Sequence, residues 1–306
     1  KSEPADWRVY ECLADEFSDQ GEHAYFYVEK TSFNTADVAT LLADALQLKR
    51  HDIGYAGLKD KHAITRQWFS VPVPSDTWPL AVPGIECLDV RRHIKKLRRG
   101  DHQGNYFEIR LSQTEDIGEA DLESLGCVFA NYFGPQRTSS NNYEQASTWL
   151  AAGQWGAEKV SSKRRRGKPK ADGRRGWHLS VLRSVLFNAV LERRVALGNY
   201  AVPIAGDVLL NGVPSAPLWG RGRSAASEDA LAIEQAALSA YTAVCEGLEY
   251  AGVSQGRRSM SELPRDFVAQ SLGGNDILLK FTLNPGAYAT TLLADKLTVI
   301  DDSLVR

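Results

Sequence analysis

Strand-type patterning stands at both ends of this chain, and helix-type patterning fills its middle. Tyr106-Phe107-Glu108-Ile109-Arg110-Leu111 alternates, with Phe107, Ile109 and Leu111 on one side. Residues 24–30 are rich in aromatic and β-branched side chains, and residues 7–11, 67–73 and 85–90 add shorter strand candidates. The pattern resumes at residues 277–283. Between these ends, residues 143–152, 177–197 and 228–250 read as helices, and Leu122, Leu125, Phe129 and Tyr132 predict another that runs into residues 131–137. Residues 206–227 are loop-rich with at most short strands, and residues 288–297 close the pattern as a helix. A chain of 306 residues with strands at both ends closes most economically as one α+β domain, 1–127 plus 265–306, interrupted by a mainly helical insertion over 128–264.

Within the first strand-rich part, residues 54–68 gather an unusual set of polar groups. Gly54 and Gly57 permit a tight turn or a close approach to a ligand. Asp60 follows between Lys59 and Lys61, which favour its ionised form. Upstream, Asn34 is placed to cap a helix over residues 35–48, with Val38, Leu41, Leu42, Ala45 and Leu46 along one face. Downstream, residues 67–73 leave as a strand. Asp60 is thereby expected on a loop between strands, positioned by two rigid elements. Taken alone, the same stretch is also what a solvated charged turn looks like.

Net charge is -2 and the isoelectric point about 6.4, yet the cations are not evenly spread. Arg91, Arg92, Lys95, Lys96, Arg98 and Arg99 form one basic block, and Lys163, Arg164, Arg165, Arg166, Lys168 and Lys170 another. Two such blocks on a near-neutral chain polarise its surface, and a local field rather than net charge attracts a polyanion. Cys12, Cys87, Cys127 and Cys245 are scattered without a C-x-x-C pair, so neither a disulfide framework nor structural zinc is expected. The six histidines form no metal-ligand spacing. No apolar run approaches membrane-span length and no signal peptide opens the sequence, and the scattered cysteines make a reducing cytoplasm the expected location. The first residue is Lys1 rather than Met, which suggests a trimmed N-terminus.

Gly57-Leu58-Lys59-Asp60-Lys61-His62-Ala63-Ile64-Thr65-Arg66-Gln67 resembles the G-x-K-D-x-x-A-x-T-x-Q signature of the TruD family of tRNA pseudouridine synthases. Lys1-Ser2-Glu3-Pro4-Ala5-Asp6-Trp7-Arg8-Val9-Tyr10-Glu11 resembles the family's opening K-x-x-P-x-D-F-x-V-x-E. Gly104-Asn105-Tyr106-Phe107 is similar to its G-N-x-F, Asn131-Tyr132-Phe133-Gly134-Pro135-Gln136-Arg137 to its N-Y-F-G-x-Q-R, and Pro285-Gly286-Ala287-Tyr288-Ala289-Thr290 to its P-x-G-x-F/Y-A-T. The motifs run in order along essentially the whole chain. Two departures stand out: Trp7 replaces the usual phenylalanine, and Thr138-Ser139-Ser140 stand where Phe-Gly is usual.

The resemblance implies a mixed, largely antiparallel pseudouridine synthase core with the family's own insertion domain. It implies isomerisation of a uridine, number 13 of tRNA, with no cofactor and no metal. By the same resemblance Asp60 is the catalytic residue, Trp7, Asn105 and Tyr288 contact substrate, and Phe107 packs against the target base. An aspartate there serves either as nucleophile or as base, and needs a cation for which Lys1, Lys59 and Lys61 are the candidates. The base must be flipped out of the folded RNA to be reached. Arg91, Arg92, Lys95, Lys96, Arg98, Arg99, Arg164, Arg165 and Arg166 are expected on the phosphate backbone. Two other readings fit parts of the sequence: a non-catalytic RNA-binding protein on the same scaffold, and an aspartate-dependent hydrolase of a small phosphorylated substrate. The hydrolase leaves both basic blocks unexplained.

Overall fold

The computed structural model describes residues 2–13, 17–73, 76–112, 114, 116–153 and 173–297. The strands and helices along the chain are β1 (Trp7–Leu13), β2 (His23–Thr31), α1 (Thr35–Ala45), β3 (Ile64–Val71), β4 (Ile85–His93), β5 (His102–Leu111) and α2 (Glu119–Leu125). There follow β6 (Phe129–Ala130), α3 (Pro135–Thr138), α4 (Ser140–Ala151), α5 (Gly173–Ala196), β7 (Leu209–Leu210), β8 (Val213–Leu218), α6 (Glu228–Leu238) and α7 (Thr242–Tyr250). The chain ends on β9 (Gly256–Ser259), β10 (Ser261–Glu262), β11 (Arg265–Gly273), β12 (Asp276–Leu283) and α8 (Ala289–Lys296). Among the described residues no helix is long and apolar enough to cross a membrane.

These elements form two compact units. One takes in the described residues up to Cys127 together with Leu263–Ala289 and those from Lys296, and the other takes in the described residues of Val128–Glu262 and Thr290–Asp295. The first unit is a seven-stranded mixed sheet of order β11-β12-β5-β1-β3-β2-β4. The β1–β3 pair is parallel, with Arg8 opposite Ile64, and the remaining pairs are antiparallel. The alternation of each strand decides what its two faces carry. Phe26, Val28, Phe69 and Val71 point to one face and pack against Val38, Ala39 and Leu42 of α1. Tyr25 and Trp68 point to the other, where Ala56, Leu97 and Phe17 cover them. Helix α1 begins after Asn34, whose backbone N–H donates to the Asp37 carboxylate at 3.1 Å.

The second unit is built on α5, whose Val181, Leu182, Leu186, Phe187, Val190 and Leu191 are buried along one helical stripe. At the end of that helix the Arg194 guanidinium is sealed against Asp207, with nitrogen–oxygen distances of 2.8 and 2.9 Å. The unit is not purely helical. Strands β7, β8 and β9 form a three-stranded sheet, and β6 pairs with β10.

Four local readings need correction. The helix at 122 ends at Leu125, where Gly126 caps it, and Phe129 continues as strand opposite Glu262 instead of carrying a helix into residue 131. The strand from Ile85 runs through Arg91 and Arg92 to His93, because its backbone pairs with β2 on both sides of a register shift at Leu88. The helix expected over 228–250 is broken at Ser239–Tyr241 into α6 and α7. Residues 265–273 form an edge strand that their mostly exposed side chains did not announce.

Candidate active site

The loop between Ile53 and Ile64 carries Asp60, and the residues around it fix its course. Gly54 exchanges backbone hydrogen bonds of 2.8 and 3.0 Å with Ser70, anchoring the start of the loop to β3. Neither Gly54 nor Gly57 has a left-handed φ. Gly54 is a glycine for space: a Cβ there would run into the Leu97 carbonyl and the Ser70 hydroxyl, whereas one on Gly57 would be tight only against the Lys59 ammonium, at 3.3 Å.

A relay of buried side chains then grips the loop on both sides of Leu58. The Gln67 amide nitrogen donates to the Gly57 carbonyl at 3.3 Å. The Thr35 hydroxyl donates to the Gln67 amide oxygen at 2.7 Å and accepts from the Lys59 backbone N–H at 2.9 Å. The Lys59 side chain turns inward, its ammonium 2.8 Å from Glu11 Oε1. The other Glu11 oxygen accepts from the Trp68 backbone N–H at 3.1 Å. With Lys59 inside, its neighbours Leu58 and Asp60 both face outward, Leu58 63% exposed.

Beneath Asp60 lies Lys30, fully buried at the end of the inward row Ala24, Phe26, Val28. Its ammonium donates to the Asp60 carbonyl at 2.8 Å and to the Phe33 carbonyl at 2.7 Å. Burial chiefly pulls its pKa down to about 8; the Lys59 charge lowers it further, while the negative charges of Asp60 and Asp37 oppose the fall. Next to Lys59, burial and then the Lys59 charge lower the pKa of His102, whose Nδ1 is buried without a hydrogen-bond partner.

Asn105 lies directly across from Glu11 on β1 and from Leu283 on β12, and its Oδ1 is buried and unpartnered. Two residues on, Phe107 shares that face. It is 6% exposed, stacked on Phe281 at 5.4 Å and edge-on to Trp7 at 6.5 Å. Tyr288 is half-buried in the turn before α8. The structure therefore joins Trp7 to Phe107 directly, and links Asn105 to the Asp60 loop through Glu11 and Lys59. Lys61 is exposed, and Lys59 is engaged with Glu11. Among the described residues no hydrogen bond or ion pair holds the Asp60 carboxylate, and Lys1 lies outside them.

The first basic block divides into engaged and open cations. Arg91 forks onto Asp19 at 2.8 and 2.9 Å, and Arg92 pairs with Asp76 at 2.7 Å. The Lys96 ammonium donates to the His51 carbonyl. Arg99 and Arg50 lie over the Tyr55 ring at 4.6 and 5.2 Å and both donate to its hydroxyl. Burial would raise the Tyr55 pKa, but the Arg50 hydrogen bond and the two guanidinium charges outweigh it and the net shift is downward. Lys95 and Arg98 are exposed. Arg164, Arg165 and Arg166 lie outside the described residues.

Glu11, Lys30, Thr35, Gln67 and His102 were not singled out as site residues from the sequence. Two signals were present: Glu11 and Gln67 stand at the E and Q positions of the resembling motifs, and Glu11 and Lys30 each occupy an inward position of an otherwise apolar row, where a charge needs a reason.

A family profile described as tRNA pseudouridine synthase D (TruD) matches residues 1–147. A tRNA pseudouridine synthase D from Cellvibrio japonicus is 39% identical over 315 residues, spanning 98% of this chain and 89% of the relative. One from Aeromonas salmonicida is 37% identical over 330 residues, spanning 96% and 89%. A crystal structure from Methanosarcina mazei, described as a putative tRNA pseudouridine synthase D, superposes with a TM-score of 0.66 at 19% identity, covering 97% of this chain and 92% of that one. At that identity the likeness speaks for the fold alone.

Proposed function

The chain belongs to the TruD family of tRNA pseudouridine synthases, and from that premise we propose that it isomerises uridine 13 of tRNA with Asp60 as its catalytic residue. The enzyme class is an isomerase. The N-glycosidic bond of the target uridine breaks, the uracil turns over, and C5 forms the new bond to the sugar while its proton leaves. Atoms are conserved overall, so no co-reactant is consumed. Asp60 enters this sequence as nucleophile at the nucleotide or as base on the sugar.

The observation that carries the reading is the outward Asp60 carboxylate on a loop whose backbone is pinned by Thr35, Gln67, Lys59 and Lys30. A reacting group gains from being held in one geometry before substrate arrives. The buried, unpartnered Asn105 Oδ1 supports a role for that amide at the uracil edge, where an N–H donor would satisfy it. Trp7, Phe107 and Tyr288 are assigned as the aromatic surroundings of the flipped base. Lys95, Arg98 and Arg99 are assigned to the RNA backbone, along with Arg91, Arg92 and Lys96 and with Arg164, Arg165 and Arg166 of the second block.

Tritium release from tRNA carrying 5-tritiated uridine tests this directly. Asp60→Asn and Asp60→Ala are expected to bind tRNA and release no tritium; release near the wild-type rate would remove Asp60 from the mechanism. Mapping the product after carbodiimide treatment locates the modified nucleotide, and a stop elsewhere than position 13 would reassign the target.

A further inference from the structure

We propose that Lys30 is a positioning residue for Asp60: its buried ammonium bridges the Asp60 and Phe33 carbonyls and so ties the Asp60 loop to the turn between β2 and α1. This inference rests on Asp60 being the catalytic carboxylate. An ammonium removed from water is costly unless it is paired, and Lys30 is fully buried with no carboxylate within ion-pair distance among the described residues. A methionine is of similar size and would carry no such cost. Keeping the charge implies that its donors are needed, and both hydrogen bonds go to backbone carbonyls, one of them that of Asp60 itself. Bonds from a charged donor are about twice as strong as neutral ones, so protonation of Lys30 sets how firmly the loop is held.

The charged groups whose fields reach Lys30 come from two elements: Asp60 and Lys59 from the loop, and Asp37 from α1. Glu11 from β1 is already engaged with Lys59. Loss of the Lys30 proton at about pH 8 weakens the clamp.

The test compares wild type, Lys30→Met and Asp60→Asn in single-turnover pseudouridine formation with excess enzyme, alongside tRNA affinity by filter binding. Lys30→Met is expected to bind tRNA within about twofold of wild type and to react roughly 10- to 100-fold more slowly, the cost of a reacting group displaced by an ångström or less. The wild-type rate is expected to fall above about pH 8, a limb that Lys30→Met lacks. A Lys30→Met rate within twofold of wild type overturns the inference while leaving the role of Asp60 standing. An active Asp60→Asn overturns the reading beneath it instead. Should Lys30→Met not fold, the wild-type profile still decides: a rate that holds level between about pH 7 and about pH 9 excludes the clamp.

Discussion

The Lys59 ammonium lies 2.8 Å from the Glu11 carboxylate, and both side chains are closed to solvent. The pair welds the Asp60 loop to the centre of the sheet, since Glu11 also accepts from the Trp68 backbone and faces Asn105 across the β1–β5 ladder. Breaking one partner strands the other charge in the interior. Lys59→Met is expected to lower unfolding free energy by ~3–5 kcal/mol, and the double variant Glu11→Gln with Lys59→Met to recover a large part of it. Denaturant unfolding of the four proteins in the cycle measures this, and additive losses would mean that the pair is not coupled.

Lys30 gives stability a pH dependence whose sign is fixed. Its pKa in the folded chain is about 8, below the ordinary 10.5 of a lysine in the unfolded chain. Below about pH 8 both states carry the proton and the full cost of burying the charge is present. Between the two values the unfolded chain binds more protons, so the unfolding free energy rises with pH until the unfolded lysine also titrates. The gain across that window is roughly 3 kcal/mol. Comparing wild type with Lys30→Met in denaturant at about pH 7 and about pH 10 isolates the effect, because the variant lacks the group. A wild-type stability that falls relative to the variant on going to high pH would contradict it.

Much of the sheet was legible because its strands alternate cleanly, as in Phe107, Ile109 and Leu111, or Ala24, Phe26 and Val28. Edge strand β11 was not, since Arg265, Asp266 and Gln270 leave little alternation to read on a strand paired on one side only. The position of Asp60 on a loop leading into β3 was legible from glycines and flanking patterns, but the strand expected ahead of the loop is only an isolated bridge from Gly54 to Ser70. Its support was not. Lys30 lies thirty residues upstream, and it meets Asp60 only because antiparallel β2–β3 pairing brings Lys30 beside Thr65, near the end of the loop. Charged residues at inward positions of β1 and β2, and the motif positions held by Glu11 and Gln67, were the local signs of that cluster.

Gly104 tests how closely the Asn105 side of the site is built. A Cβ there would lie 2.5 Å from the Leu283 carbonyl and 3.2 Å from the Arg265 guanidinium. The carbonyl is backbone of the adjacent strand and cannot swing aside, so Gly104→Ala must part β5 from β12 beside Asn105. The expected loss is ~1–3 kcal/mol of stability, the usual range for overpacking. Slower pseudouridine formation should accompany it, with tRNA affinity little changed. Unaltered unfolding and turnover would show that the strands tolerate the extra carbon.

The basic block after β4 allows a sharper prediction than charge counting, because its cations are not equivalent. Arg91 is already neutralised by Asp19, onto which it forks, and Arg92 by Asp76. Lys95 and Arg98 are exposed, and among the described residues no hydrogen bond or ion pair holds the ammonium of one or the guanidinium of the other. A cation without a protein counter-charge is the one that gains most from a phosphate, because binding replaces condensed counterions and breaks no existing pair. Replacing both Lys95 and Arg98 with glutamine is therefore expected to weaken tRNA binding and to flatten the plot of log affinity against log salt by ~0.7–0.9 for each phosphate no longer neutralised. Arg91→Gln is expected to change that slope less, since it also frees Asp19 and alters the packing of Phe17, over which the guanidinium lies at 5.5 Å. Equal slopes for the two sets of variants would mean that the Asp19 pair opens when RNA binds, leaving Arg91 to neutralise phosphate as fully as the open cations do.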